Sequence, residues 1–212
     1  ELKQLQKVKT RFNGQISPRR VVDRIRLSMI DIKAIRAEFP ETTINDIAMA
    51  IISGALRKYL LSKDELPDDS LVAAMPIDVR MKDDDHTHGN HINITNIALR
   101  TDIANPVDRL RAVHHEAVAG KAYARTLGKN ILTDVLNNLY SGLISWGVRT
   151  AVETGVLEKF PPANNTIITN VPGTQVPLYL CGARLIDSFG MGPLIPNTGL
   201  FHTVSSTYDF LT

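Results

Sequence analysis

Thr43-Ile44-Asn45-Asp46-Ile47-Ala48-Met49-Ala50, continued by Ile51-Ile52-Ser53-Gly54-Ala55-Leu56-Arg57-Lys58-Tyr59-Leu60, decides what kind of fold this chain adopts. Thr43 stands three residues before Asp46, the spacing at which an N-cap hydroxyl and a carboxylate satisfy each other's backbone N–H groups. Behind this start, Ile44, Ile47, Ala48, Ile51, Ile52, Ala55, Leu56, Tyr59 and Leu60 form one wide apolar stripe at helical spacing, which predicts a core helix. Asn105-Pro106 predicts a second helix, with proline at the first helical position and Val107, Leu110, Val113, Ala117 and Val118 along it. A less regular third is expected over Thr133 to Val152, interrupted by Gly142 and Gly147. Around these lie strand-like runs at Ser70 to Val79, His91 to Leu99, Thr166 to Asn170, Leu178 to Asp187 and Gly199 to Tyr208, with an earlier one at Arg20 to Leu27. Helices inside a run of strands fit an α/β sheet with helices packed on it better than a bundle.

Composition narrows the function classes. With 212 residues, 43% of them hydrophobic, the chain can bury a sizeable core. Its 24 basic and 22 acidic residues are too nearly balanced to imply nucleic acid, so any basic surface must be local. Lys3 to Arg26 is the basic stretch, read as a solvated linker, with a phosphate or anionic-membrane contact as the other reading. A lone cysteine, Cys181, excludes an internal disulfide and suits a reducing, cytoplasmic setting. No apolar run reaches the roughly 20 residues of a membrane-spanning helix, so membrane or lipid-inclusion contact is expected to be peripheral. The opening without methionine and a final strand that stops without a turn read as a piece of a longer polypeptide. Residues 1–18 are expected to be a linker or the end of an interdomain segment, and 19–212 a domain incomplete at its C-terminus.

Several motifs carry chemistry. At a helix start, free N–H groups and the positive dipole end attract anions; Asn45 and Asp46 sit there, though Asp46 equally reads as a cap. Pro76-Ile77-Asp78-Val79-Arg80 ends a strand and is followed by an acidic loop and Gly89-Asn90. Arg80 can hold a carboxylate bidentately, and Gly89 can adopt backbone angles closed to other residues. The loop His86-Thr87-His88 imitates metal-ligand spacing, but a second compact ligand cluster is missing, so no metal is expected. Thr169-Asn170-Val171-Pro172-Gly173 ends another strand at a turn, placing Thr169 and Asn170 where a substrate oxygen could be held; a pure turn role is the alternative.

Taken in order, Asn45-Asp46, Pro76 to Arg80 with Gly89-Asn90, and Thr169 to Gly173 with Pro177-Leu178-Tyr179 and Gly182-Ala183 resemble the C-terminal half of the bacterial wax ester synthase/acyl-CoA:diacylglycerol acyltransferase family. Threonine replaces the family's serine at 169. The resemblance implies a chloramphenicol acetyltransferase-like mixed sheet, the C-terminal of two similar domains, closing against an N-terminal partner domain. It further implies an acyl-CoA-dependent O-acyltransferase that esterifies a long-chain alcohol or diacylglycerol, with acyl-CoA as co-substrate and no permanently bound cofactor. The family's catalytic His-His-x-x-x-Asp-Gly lies in the N-terminal half, so no catalytic residue is expected in this chain and the segment alone is expected to be inactive. Asn45, Asp46, Arg80, Gly89, Asn90, Thr169, Asn170, Pro172 and Gly173 are expected to shape the site and its channel. His114-His115 imitates the motif but has Ala119 where aspartate is required, so a structural pair on a polar or half-buried helical face is expected. Asp187-Ser188-Phe189-Gly190-Met191-Gly192 only vaguely resembles a structural motif of related acyltransferases. A condensation-type domain acting on carrier-protein-bound substrates and a catalytically silent lipid-binding half stay open beside the acyltransferase; a homodimer is compatible with all three.

Overall fold

The computed structural model describes residues 8–78, 92–126, 150, 154, 155, 161–174 and 176–212. Its centre is a four-stranded mixed sheet. Strand β2 (Val72–Asp78) pairs antiparallel with β3 (Ile92–Ala98) on one side and parallel with β4 (Thr166–Val171) on the other, and β4 pairs parallel with β7 (Phe201–Ser205), giving the order β3-β2-β4-β7. Helix α2 (Ile44–Leu61) supplies most of the helical side of the core. Its Ile47, Met49, Leu56 and Leu60 pack with Leu71, Ala73 and Met75 around β2, Ile97 and Leu99 around β3, and Ile168 and Val204 from β4 and β7. Of the apolar stripe read from sequence, Ile47, Ala48, Leu56 and Leu60 are buried, Ile44, Ile51 and Ile52 are half-buried, and Ala55 and Tyr59 are exposed, while Met49 and Ser53 outside that stripe are buried.

Helix α3 (Pro106–Thr126) starts as expected: the Asn105 side-chain oxygen accepts the backbone N–H groups of Val107 at 2.9 Å and Asp108 at 3.2 Å. Its approach loop is held from both helices, by the buried Arg109 of α3 and the half-buried Arg57 of α2. Arg109 donates to the carbonyls of Ile103 and Ala104, and Arg57 donates to the carbonyl of Thr101 at 2.6 Å. Gly54 makes room for the first of these, since a Cβ there would lie 2.7 Å from the Arg109 guanidinium.

Four expectations change. A helix not foreseen, α1 (Met29–Glu38), precedes α2; only Met29 and Ile32 of it are buried, and so narrow a stripe gives a weak periodic signal. The strand expected over Arg20 to Leu27 shrinks to β1 (Leu27–Ser28), because residues 19–26 are exposed and make no ladder. Leu178 to Asp187 is not one strand but a hairpin of β5 (Tyr179–Leu180) and β6 (Ala183–Arg184), turned by Cys181 at φ +49° and Gly182 at φ +83°. Two consecutive left-handed residues are what a two-residue hairpin turn requires. Finally, the chain does turn after β7: Tyr208 and Asp209 lead back into β8 (Phe210–Leu211), which pairs antiparallel with β1. The helix expected over 133–152 lies outside the described residues but for Thr150.

A buried amide network anchors the irregular N-terminal segment to the sheet. Asn165, 1% exposed, accepts the Val72 N–H at 2.9 Å and donates to the Val8 carbonyl and to Asn13 Oδ1, while Asn13 donates to the carbonyls of Asn164 and Asn197. Buried amides so completely paired fix one arrangement of chain segments. Among the described residues no helix is long and apolar enough to cross a membrane.

Candidate functional site

The first turn of α2 brings the two best-placed motifs together. Thr43 and Asp46 form the reciprocal cap anticipated from their spacing: the Thr43 N–H donates to Asp46 Oδ2 at 2.9 Å, and the Asp46 N–H donates to Thr43 Oγ1 at 3.2 Å. Asp46 is buried, so its carboxylate rests in the positive field of the helix start and away from water. Next to it, Asn45 Oδ1 accepts the Asn170 side-chain N–H at 3.2 Å. Two residues 125 positions apart thus meet where β4 ends, and the Asn45 amide nitrogen lies over the sulfurs of Met49 and Met75.

Gly173 is held by a close approach rather than by a special backbone angle. A Cβ at this position would fall 1.6 Å from the Ser206 carbonyl oxygen, and the Gly173 N–H donates to Ser206 Oγ at 2.9 Å. The contact locks the exit of β4 to the residue after β7, with Pro172 between Gly173 and the strand end. Thr169 sits half-buried, one residue out of phase with Asn170, and pairs with Thr203 across the parallel ladder. Its side chain therefore points to the opposite sheet face from Asn170, and the two do not converge on one point.

Asp46 has a partner that the motif reading did not assign. His114, at the third turn of α3, places Nδ1 2.9 Å from Asp46 Oδ2, while His115 faces outward. The sequence predicts a half-buried histidine but not its contact with the capping aspartate, because the two residues are 68 positions apart and only helix packing joins them. The other Asp46 oxygen, Oδ1, is buried and has no hydrogen-bond partner among the described residues.

Asp187 likewise has distant partners. Its largely buried carboxylate faces Arg24 and, at 3.7 Å, Arg26, and accepts the Thr212 hydroxyl at 2.8 Å. Arg24 also stacks on Phe189 at 5.2 Å from the ring centroid. Between residues 11–27, the Ala48, Ile51 and Ile52 face of α2, and residues 189–194 against β7 runs a groove of about 1110 Å³. His202 lines it and faces the Thr166 hydroxyl at 2.9 Å; burial pushes its pKa down to about 4, which leaves the ring neutral at physiological pH.

Arg80, Gly89 and Asn90 lie outside the described residues, as does the histidine loop at 86–88. Among the described residues no three His, Cys, Asp or Glu side chains cluster as a metal site would require. What the described cluster offers chemically is a buried carboxylate bonded to an imidazole, beside a pair of amides bonded to each other.

The WS/DGAT C-terminal domain family matches residues 88–212. A Mycobacterium tuberculosis protein bearing the name of a diacylglycerol O-acyltransferase is 33% identical over 197 residues, 93% of this chain and 38% of its own length. A second from that organism, with the same activity in its name, is 37% identical over 178 residues, covering 82% of this chain and 34% of its own. The chain thus spans little more than a third of the curated relatives it matches. Wax ester synthase/diacylglycerol acyltransferase from Marinobacter aquaeolei VT8 has the same fold, with a TM-score of 0.68 at 24% identity over 94% of this chain and 43% of that one. The chain accordingly belongs to the wax ester synthase/diacylglycerol acyltransferase family and carries its C-terminal domain.

Proposed function

We propose that this chain is the C-terminal part of an acyl-CoA-dependent O-acyltransferase that joins a long-chain alcohol or diacylglycerol to an acyl group, giving wax ester or triacylglycerol. The observation that carries this reading is the Asn45–Asn170 hydrogen bond: two motifs distant in sequence converge at a helix start and a strand exit. A catalytic histidine supplied by an N-terminal domain would take the proton of the acceptor hydroxyl as its oxygen attacks the thioester carbonyl. Donors preorganised around the resulting oxyanion lower the barrier, and collapse of the tetrahedral intermediate expels CoA as a thiol once the proton is returned. No acyl-enzyme is needed. The role of this half is geometric, with Asn45, Asp46, Asn170 and Gly173 setting the position of one wall. The groove, walled on one side by Ile51, Ile52 and Leu200 and rimmed by Arg19, Arg20 and Arg24, is roomy enough for an acyl or alcohol chain and supports a channel there. Acyl-CoA is a co-substrate, and contact with a membrane or lipid inclusion is peripheral.

The test compares the longer protein with this chain alone, supplying a long-chain acyl-CoA with hexadecanol or diacylglycerol and following both ester and free CoA. Ester formation by the longer protein and none by the isolated chain is expected. Turnover by the isolated chain, with no companion polypeptide detectable by mass spectrometry, overturns the assignment of the base to another segment. A longer protein that consumes neither acceptor overturns the acyltransferase reading.

A further inference from the structure

We propose that His114 is a positioning residue of the acyltransferase, acting through Asp46 to hold the first turn of α2 and, with it, the Asn45–Asn170 contact. The inference rests on the acyltransferase reading above. Asp46 is 1% exposed, and among the described residues the donors to its carboxylate are the Thr43 N–H and His114 Nδ1, both on Oδ2, with none on the buried Oδ1. A buried carboxylate requires its donors, and each bond to an ionised group is stronger than a neutral one. Since an ionised carboxylate only accepts, the 2.9 Å contact places the proton on Nδ1. His114 therefore contributes a specific N–H and not merely bulk.

The mechanical consequence follows from adjacency. Asp46 is the third residue of α2 and Asn45 the second, so any rotation of the first turn that relieves an unpaired carboxylate displaces the amide that Asn170 donates to. His114 rides on α3, which packs against both α2 and β3; the imidazole thus ties the start of one core helix to another. His115, one residue on and outward-facing, provides an internal control.

Side-chain geometry makes the proposal testable. The side-chain nitrogen of asparagine overlays histidine Nδ1, whereas that of glutamine overlays Nε2. In the full-length enzyme, His114→Ala should lower kcat about tenfold, the order expected for one lost hydrogen bond to a charged group, with KM within about twofold of the parent. His114→Asn should recover most of the loss, His114→Gln little of it, and His115→Ala should match the parent. In parallel, nitrogen NMR of histidine-labelled protein should show His114 protonated at Nδ1, with that signature lost in Asp46→Ala. A His114→Ala enzyme with kcat within twofold of the parent, or rescue by glutamine equal to that by asparagine, overturns the positioning role. Should the parent itself form no ester, the acyltransferase reading fails, while the NMR result still decides the pairing: a proton on Nε2 alone refutes it.

Discussion

The start of α2 and the strip formed by residues 19–26 with the β5–β6 hairpin are built on opposite principles. At the α2 start, the buried Asp46 carboxylate and part-buried polar side chains are occupied with partners drawn from four separate stretches: Thr43 to Asp46, His114, Asn170, and Gly173 with Ser206. On the strip, apolar side chains stand in the open: Val21 is 96% exposed, Leu180 79% and Ile186 69%. Charged anchors hold the strip in place, with Arg24 and Arg26 on Asp187 and Arg184 on Asp209. The difference teaches where sequence change is costly. In the first region each residue is fixed by several others, so one loss is felt across the cluster; in the second the side chains touch little of this chain.

That contrast can be broken most directly at Gly173. Gly173→Ala forces a methyl group into the Ser206 carbonyl, so the β4 exit and the residue after β7 must separate; a loss of about 3 kcal/mol or more is expected in denaturant unfolding. An alanine variant as stable as the parent would mean the two segments are not locked. His202 sharpens the comparison through pH. Its folded pKa, near 4, lies below the ordinary 6.5 because burial disfavours the charged ring. Between these values the unfolded chain binds more protons than the folded one, so stability is complete above about pH 6.5 and falls as pH drops toward 4, by about 3 kcal/mol across the window. His202→Gln should flatten that dependence in thermal melts recorded across the same range.

Smaller effects follow at the cap. Asp46→Ala removes the carboxylate half of the reciprocal cap and the His114 contact, while the Asp46 N–H still reaches Thr43 Oγ1, and should cost about 1–2 kcal/mol, with Asp46→Asn costing less because one acceptor oxygen survives. Turnover of the intact enzyme should fall in the same order, with the acidic limb of its pH–rate profile unmoved. A well-folded Asp46→Asn enzyme that loses the controlling ionisation would make Asp46 an acid or base instead of a cap. On the strip, Leu180→Ser should change unfolding stability by no more than about 0.5 kcal/mol, since the side chain leaves nothing unfilled behind it. A larger drop would show that the hairpin packs more tightly than its exposure indicates.

Short-range chemistry was legible from the chain alone. The Thr43–Asp46 cap, the Asn105 start of α3, the buried stripe of α2 and four of the sheet strands follow from spacings of a few residues, over which backbone geometry dictates what can touch. Family motifs extended that reading to Asn45, Asn170 and Gly173. Helix α1 escaped it because two buried positions in ten carry little periodic signal, and the hairpin escaped because nothing in Cys181-Gly182 announces paired left-handed residues as Asn-Gly would. Tertiary structure alone decided that Asn170 donates to Asn45, that His114 serves Asp46, that Asp187 gathers two arginines, and that Gly173 must lack a side chain because Ser206 lies against it. Each of these joins residues from 33 to 163 positions apart, and no local periodicity encodes which distant groups the packing of helices on a sheet will bring into contact.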